Sequence, residues 1–173
     1  MRRRDEGNLI ALAGNHETMM MQARGGEAEL ADWLQNGGVT TLASYAPLDG
    51  DPGKLSDVPD QHWAFLEHDC RAYFETDTHL FVHANAYSDL PLSEQPDFML
   101  YWEKIGSQPA HESGKTLVCG HTPQKSGKPL NLGHAVCIDT WVYGRGWLTC
   151  LDVDTGRSWQ SNQQGQSRAD FLS

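Results

Sequence analysis

The sequence predicts an α/β fold in which strands and helices alternate early in the chain and strands dominate late. Short apolar runs that end at a glycine, such as NLIALAG at residues 8–14, are typical of strands buried on both faces. After them, apolar residues recur at three- and four-residue intervals, which is the spacing of an amphipathic helix. Late in the chain, apolar runs are separated only by glycine- and aspartate-rich turns. We therefore expect an α/β core that passes into an antiparallel region.

The part of the chain after the first strand is predicted to be mostly helical. ETMMMQAR (17–24) has the composition of a helix. The segment GGEAELADWLQNGG (25–38) is predicted to be a short helix between two glycine pairs, because its apolar residues have helical spacing. A loop rich in proline, glycine and aspartate follows at 45–60. From Pro59 onward an apolar stripe with helical spacing runs to Phe74. These observations predict a helical, loop-rich insertion over residues 18–75.

The remainder is predicted to consist mainly of strands. The predicted strands are THLFVHA (78–84), KTLVCGH (115–121), HAVCIDT (134–140), GWLTCLDV (146–153) and RSWQSN (157–162). The polar stretch 161–173 is predicted to be a frayed tail. A chain of 173 residues is long enough for one sizeable core, and it contains no internal repeat. We therefore predict a single domain, residues 1–173.

Charge and composition exclude several partners. The formal net charge is −10 at pH 7, which would repel nucleic acid and anionic membranes over most of the surface. No apolar run is long enough to cross a bilayer, and the first run is too short for a signal peptide. The four cysteines show no C-x-x-C spacing, so we expect reduced, structural thiols. The sequence therefore predicts a cytoplasmic protein that binds neither nucleic acid nor membranes.

Three predicted strands end in similar polar residues. The first is followed by Asn15 and His16, the second by His83 and the third by His121. Because ligands of open α/β sheets bind at the carboxyl ends of the strands, we expect these four side chains to converge. Imidazole nitrogens together with an amide oxygen suit Zn, Mn or Fe better than Ca or Mg. The sequence therefore predicts a metal centre at these strand ends.

The same segments carry the motifs of a known family. GNHE (14–17), FVHA (81–84) and CGHT (119–122), in that order, resemble the later signature blocks of the calcineurin-like metallophosphoesterases. The surrounding sequence, including WLQNGGVTTLASY and GKTLVCGHTPQ, is similar to the bacterial branch of phosphoprotein Ser/Thr phosphatases. The resemblance covers residues 8–154 and implies a β-sandwich flanked by helices.

The resemblance implies a role for each matched residue. Asn15, His83 and His121 would ligate one of two divalent metal ions, with Mn expected and Zn or Fe as alternatives. His16 would be the general acid at the leaving group. Lys104 stands in a segment, LYWEKIG, where the family tends to place a phosphate-binding arginine. The implied reaction is hydrolysis of phosphate monoesters, with phosphoproteins or small phosphate esters as substrates.

Part of the family pattern is missing from this chain. The blocks GDxHG and GDxxDRG, which would supply the ligands of the first metal, do not occur. We therefore expect an N-terminally truncated version of the fold, with feeble activity on its own. A truncated sheet would expose one edge of the strand NLIALA, so self-association through that edge is also expected. Asn85 and Trp141 replace glycines of the family motifs VHAG and IDTG.

Two other functions stay open at this point. A nucleotide-polyphosphate hydrolase of the same fold, acting on diadenosine tetraphosphate or similar compounds, is disfavoured only mildly by GNHE in place of GNHD. A non-catalytic pseudophosphatase or fragment would act as a binding module through the surviving surface.

Overall fold

The computed structural model describes Gly7, residues 9–47 and residues 52–173. The chain divides into two units, Met1–Ala72 and Tyr73–Ser173, and each is described by itself. Several sheets and short helices make up these units, so the predicted mixed α/β class is confirmed. The single domain over residues 1–173 stays a prediction, and part of the loop predicted at 45–60 lies outside the described residues.

The Met1–Ala72 unit is mainly helical. Its helices are α1 (Asn15–Gln22), α2 (Glu27–Trp33), α3 (Val39–Ala43) and α4 (Asp60–Ala64). Single turns extend or connect them at Leu34–Gly38, Leu55–Asp57 and Phe65–Asp69. These elements share one buried apolar core, which consists of Met19, Met20, Ala23, Trp33, Leu42, Val58 and Trp63.

Two short parallel strands complete this unit. Strand β1 (Ala11–Leu12) pairs with β2 (Cys70–Arg71), and the Ala13 N–H extends the pairing by donating to the Arg71 carbonyl at 2.8 Å. The helix predicted to run to Phe74 therefore ends at Asp69, because the next residues pair with strands instead. The predicted insertion over 18–75 is helical only up to that point.

The prediction that the first strand is buried on both faces is wrong for the residues described here. Leu9 and Ile10 expose 45% and 41% of their surface. The physical reason is that β1 has β2 as its only strand partner in the described part of the chain. Among the described residues, one edge of β1 therefore has no neighbouring strand, and these side chains are left uncovered.

The Tyr73–Ser173 unit contains a five-stranded mixed sheet. Its strands are β3 (Tyr73–Glu75), β4 (His79–Val82), β5 (Thr116–Cys119), β6 (Leu130–Asn131) and β7 (Ala135–Cys137), in the spatial order β3-β4-β5-β7-β6. The three central strands β4, β5 and β7 are parallel, and the edge strands pair antiparallel. Helix α5 (Asp97–Tyr101) follows Pro96, which suits the start of a helix. The carboxyl ends of three parallel strands therefore lie along one edge of the sheet.

A three-stranded antiparallel sheet ends the chain. It consists of β8 (Leu148–Leu151), β9 (Arg157–Ser161) and β10 (Ser167–Phe171). This confirms the predicted passage into an antiparallel region, but the prediction of a frayed tail over 161–173 is wrong. The Asn162 and Gln166 side chains bond across the turn at 2.7 Å, and β10 then pairs with β9 over five residues. No helix within the described ranges is long and apolar enough to cross a membrane.

Candidate metal centre

The candidate site in the Tyr73–Ser173 unit lies where β4, β5 and β7 end. His83 directly follows β4, and His121 lies two residues after β5. The Gly120 N–H donates to the His83 carbonyl at 2.8 Å, which holds the two strand ends together. Parallel pairing thus brings together two histidines that are 38 residues apart in the chain. The predicted convergence of His83 and His121 is confirmed.

The two imidazole rings meet through specific nitrogens. His83 Nε2 lies 3.2 Å from His121 Nδ1, and the ring planes are inclined at 61°. His121 Nε2 lies 3.0 Å from the Trp102 carbonyl. Since a carbonyl can only accept, His121 Nε2 carries the proton, and its Nδ1 lone pair faces His83. When both rings are neutral, the His83 Nε2–H donates to this lone pair.

The same distance fits two ligands of one metal ion. Two nitrogens that are each about 2.1 Å from an ion and 3.2 Å apart subtend an angle of about 100° at the ion. This value lies between octahedral and tetrahedral geometry. A metal-bound histidine commonly donates its other ring N–H to a carbonyl, as His121 does to Trp102. Imidazole nitrogens are ligands of a kind that suits ions such as Zn or Fe.

The backbone at His121 is constrained by its neighbours. Its φ angle is 60°, in the left-handed region that residues with a side chain rarely adopt. The turn is closed by the Thr122 N–H, which donates to the Gly120 carbonyl at 2.6 Å. The Thr122 hydroxyl oxygen accepts from the Ile105 N–H at 2.9 Å. These bonds hold the imidazole in place at a cost in backbone strain, which is typical of functional positions.

Asp139 occupies the corresponding position after β7. Its carboxylate accepts from the Trp141 N–H at 3.0 Å, and its carbonyl accepts from the Gln124 N–H at 2.8 Å. Trp141, which stands where the family motif has glycine, has a φ angle of 65°. The sequence already indicates that Asp139 lies at a strand end of the candidate site. The apolar run AVC ends two residues before Asp139, just as LVC ends two residues before His121.

The described residues contain no group of three or more His, Cys, Asp or Glu side chains arranged to hold a metal ion. The histidine pair therefore supplies two ligands, and further ligands would have to be amide, carbonyl or water oxygens or residues outside this set.

Asn15 and His16 belong to the Met1–Ala72 unit, where they begin α1. Asn15 is buried and His16 is exposed. The turn before them is fixed by the Gly14 N–H, which donates to the Glu17 carboxylate at 2.8 Å. Glu17 therefore orders the turn at the start of α1. The convergence of Asn15 and His16 with the two histidines of the other unit stays a prediction.

A glycine turn lies beside His16. Gly37, in the π-helical turn Leu34–Gly38, has a φ angle of 101°, and a β-carbon at this position would lie 3.8 Å from His16 Cε1. The next glycine packs against the buried ring of Trp33, because a β-carbon on Gly38 would be 2.6 Å from that ring. The turn therefore packs on the core at Gly38 and lies beside His16 at Gly37.

Lys104 lies on the segment that contacts His121. Its carbonyl accepts from the side-chain amide of Asn85 at 3.1 Å, and Trp102, two residues earlier, accepts from His121. The Lys104 side chain is exposed. Asn85 is only 3% exposed and also accepts from the Ala86 N–H at 2.8 Å. Asn85 thus ties the loop after His83 to the loop that carries Lys104.

The cysteines are free thiols, as predicted. Cys119 and Cys137 are register partners on β5 and β7 and are both buried, whereas Cys150 is exposed, against expectation. The hydrogen bond to the Cys137 thiol, together with burial, raises the pKa of Cys119. Cys119 therefore stays protonated and acts as a small apolar core residue beneath the strand ends.

Comparison of this sequence with protein-family models and with curated proteins finds no match.

Proposed function

We propose that this chain is a metal-dependent phosphatase domain that hydrolyses phosphate monoesters, resembling a Ser/Thr protein phosphatase with a metallophosphoesterase-type β-sandwich flanked by helices. The observation that carries the proposal is the 3.2 Å approach of His83 Nε2 and His121 Nδ1, with the second His121 N–H given to the Trp102 carbonyl. Both nitrogens can present lone pairs to one cation, and one of the two tautomers is already selected.

The proposed roles of the residues follow from their chemistry. His83 and His121, together with Asn15, would hold a divalent ion, for which we propose Mn, with Zn or Fe as alternatives. Such an ion supplies a water molecule of lowered pKa and polarises phosphoryl oxygens. His16, as imidazolium, donates its proton to the departing alkoxide oxygen. The Lys104 ammonium attracts the phosphate dianion as a point charge, without the two-pronged geometry of an arginine.

Metal titration tests the proposed centre directly. We expect His83→Ala and His121→Ala each to weaken Mn binding at least about tenfold in isothermal titration, because the loss of one nitrogen leaves a poorly coordinated ion. His111→Ala is the matched control, since His111 bonds to Ser113 and to the Leu90 carbonyl away from the pair. Unchanged Mn affinity in both test variants would exclude the metal centre.

Turnover by Mn-loaded protein then separates the enzyme classes. A phosphoserine peptide should be hydrolysed in preference to diadenosine tetraphosphate if the chain is a phosphatase. If a version that also carries the GDxHG and GDxxDRG blocks binds Mn but turns over neither compound, the result would favour a binding module.

A general acid at His16 has its own kinetic signature. In a version of the protein that also carries the GDxHG and GDxxDRG blocks, His16→Asn should lower kcat by about 10²–10⁴ on a phosphoserine peptide, whose alkoxide leaving group needs a proton. The same variant should lose much less activity on p-nitrophenyl phosphate, whose leaving group needs little protonation. Equal losses on the two substrates would assign His16 a ligand or structural role instead.

A further inference from the structure

A groove of about 440 Å³ lies on the Tyr73–Ser173 unit beside the candidate metal centre. It is lined by residues 85–88, which follow His83, and by residues 98–99, 103–104 and 106–109. Two backbone hydrogen bonds join these segments, since the N–H groups of Ala84 and Asn85 donate to the carbonyls of Leu100 and Met99 at 2.9 and 3.0 Å. The groove is therefore built by backbone pairing and needs no rearrangement to form.

Two aromatic rings of the groove are open to water. Tyr87 and Phe98 expose 44% and 55% of their surface, whereas Ala86 and Met99 beside them are buried. The Tyr87 backbone is fixed by Gln95, whose side-chain oxygen accepts from the Tyr87 N–H at 2.7 Å. Covering such rings with an apolar side chain removes their surface from water at roughly 25 cal/mol per Å².

The groove also contains the ammonium group of Lys104. Within the part of the chain that the structure describes, the Lys104 ammonium makes no ion pair, whereas Lys115 pairs with Glu75 at 2.6 Å. Lys104 and Trp102 lie on the same short segment, and Trp102 accepts from His121. A free positive charge in a chain of net charge −10 is a specific attraction for an anion.

We propose that this groove, the Tyr87–Phe98 groove, binds the peptide segment around a phosphorylated residue. The phosphate lies toward Lys104, and the apolar side chain of an adjacent residue packs between Tyr87 and Phe98. This inference rests on the proposed phosphatase function and adds a sequence preference to it. It assigns Phe98 and Tyr87 as specificity-determining residues.

A peptide fits the charges of the groove better than a nucleotide polyphosphate. The groove carries one lysine and, directly beside it, the carboxylate of Glu103. One ammonium compensates half of the charge of a single phosphate dianion, but a smaller share of the charge of a polyphosphate, which an acidic protein repels. The phosphate of a monoester on an otherwise neutral peptide is therefore the matching ligand.

Fluorescence anisotropy with labelled phosphoserine peptides tests this proposal. The measurements are made on the full chain in EDTA, so that binding is read without hydrolysis and without the metal centre. A peptide with leucine next to phosphoserine should bind more tightly than the same peptide with alanine there. Phe98→Ala should weaken binding of the leucine peptide at least fivefold and abolish the preference, and Tyr87→Ala should act in the same direction.

Controls separate this proposal from a general loss of structure. Phe171→Ala removes a phenylalanine that is 64% exposed, compared with 55% for Phe98, from β10 of the same unit and should leave peptide affinity unchanged. Lys104→Gln should weaken the phosphorylated peptide but not its unphosphorylated counterpart.

Several results would overturn the groove proposal. They are equal affinities for the leucine and alanine peptides, equal effects of Phe98→Ala and Phe171→Ala, and no peptide binding at millimolar concentration. Tighter binding of adenosine tetraphosphate that depends on Phe98 would replace the peptide with a nucleotide. Because anisotropy in EDTA does not involve the metal, failure of the Mn titration above and failure of the groove are distinguishable.

Discussion

At the scale of single residues, backbone strain is concentrated at the strand ends of the candidate site. His121 and Trp141 are the residues other than glycine with positive φ in the described ranges, at 60° and 65°. Each such angle costs roughly 1–2 kcal/mol relative to the ordinary regions. The two residues follow β5 and β7 at the edge of the sheet where His83 and His121 meet. The surrounding hydrogen bonds therefore maintain a conformation that the sequence alone would not choose.

Gly37 provides a test of how closely the chain packs around the proposed general acid. Gly37→Ala should lower the free energy of unfolding by roughly 1–2 kcal/mol, because φ is 101° at this position. It should also shift the NMR resonance of the His16 Hε1 proton, since the new methyl group would lie 3.8 Å from Cε1. Urea denaturation and a histidine-selective proton spectrum measure the two effects.

Gly133→Ala is the matched control for that variant. Gly133 has a φ angle of 81°, but a β-carbon there would have no heavy atom within 4 Å. We therefore expect a similar loss of stability with no change in the His16 signal. If the His16 resonance is the same in both variants, the contact between the glycine turn and this imidazole does not exist in solution.

Part of the candidate site was predictable from local sequence. His83 and His121 follow apolar runs, and the parallel pairing of two such runs is enough to bring them together. The contact that selects the His121 tautomer was not predictable, because the Trp102 carbonyl lies 19 residues away in a loop without a motif. The left-handed backbone conformation of His121 was not predictable either, because residues other than glycine seldom adopt a positive φ angle.

At the scale of elements, the last hairpin is held by one arginine. The Arg168 guanidinium donates to the Gln160 side-chain oxygen at 2.7 Å and to the Gly127 carbonyl at 2.6 Å, and it lies 4.1 Å from the centre of the Trp147 ring. Gln160 is only 5% exposed, so loss of its donor leaves a buried acceptor unpaired. Arg168→Met should therefore reduce the free energy of unfolding by about 2 kcal/mol in urea denaturation.

Arg157→Met is the corresponding control in the same hairpin. Its guanidinium lies 5.0 Å from the centre of the Trp159 ring, which is 41% exposed. An exposed contact of this type contributes roughly 0.5–1 kcal/mol, so the loss of stability should be clearly smaller than in Arg168→Met. Equal losses would show that the bonds to Gln160 and Gly127 contribute little.

Element types were predictable where periodicity agrees with tertiary pairing. The strands around THLFV and TLVC and helix α2 lie where the pattern places them. The prediction of a frayed tail was wrong because every residue of Ser167–Phe171 is exposed. Hydropathy alone does not distinguish such an exposed strand from a disordered segment. The stripe that ends at Phe74 fits a helix, but pairing of Tyr73–Glu75 with β4 decides the outcome. In both cases long-range pairing overrides a local pattern.

At the scale of the whole molecule, the open edge of β1 predicts weak self-association. Leu9 and Ile10 are 45% and 41% exposed beside a strand that pairs on one side among the described residues. Pairing of two β1 edges about a twofold axis would cover four such side chains. At about 1 kcal/mol each, this burial corresponds to a dissociation constant of roughly 1 mM before backbone hydrogen bonds are added.

Sedimentation velocity across protein concentrations from about 20 μM to about 1 mM tests this expectation, because a dimer of this strength would appear only in the upper part of the range. Ile10→Lys should abolish the dimer, since an ammonium on an edge strand opposes pairing. Val39→Lys is the control, because Val39 is 59% exposed at the start of α3 rather than at the strand edge.

The net charge of −10 opposes contact between copies, so added salt should strengthen the dimer of the unmodified chain by screening that repulsion. A chain that stays monomeric at the highest concentration in high salt, or a dimer that Val39→Lys disrupts as strongly as Ile10→Lys, would exclude β1 as an interface.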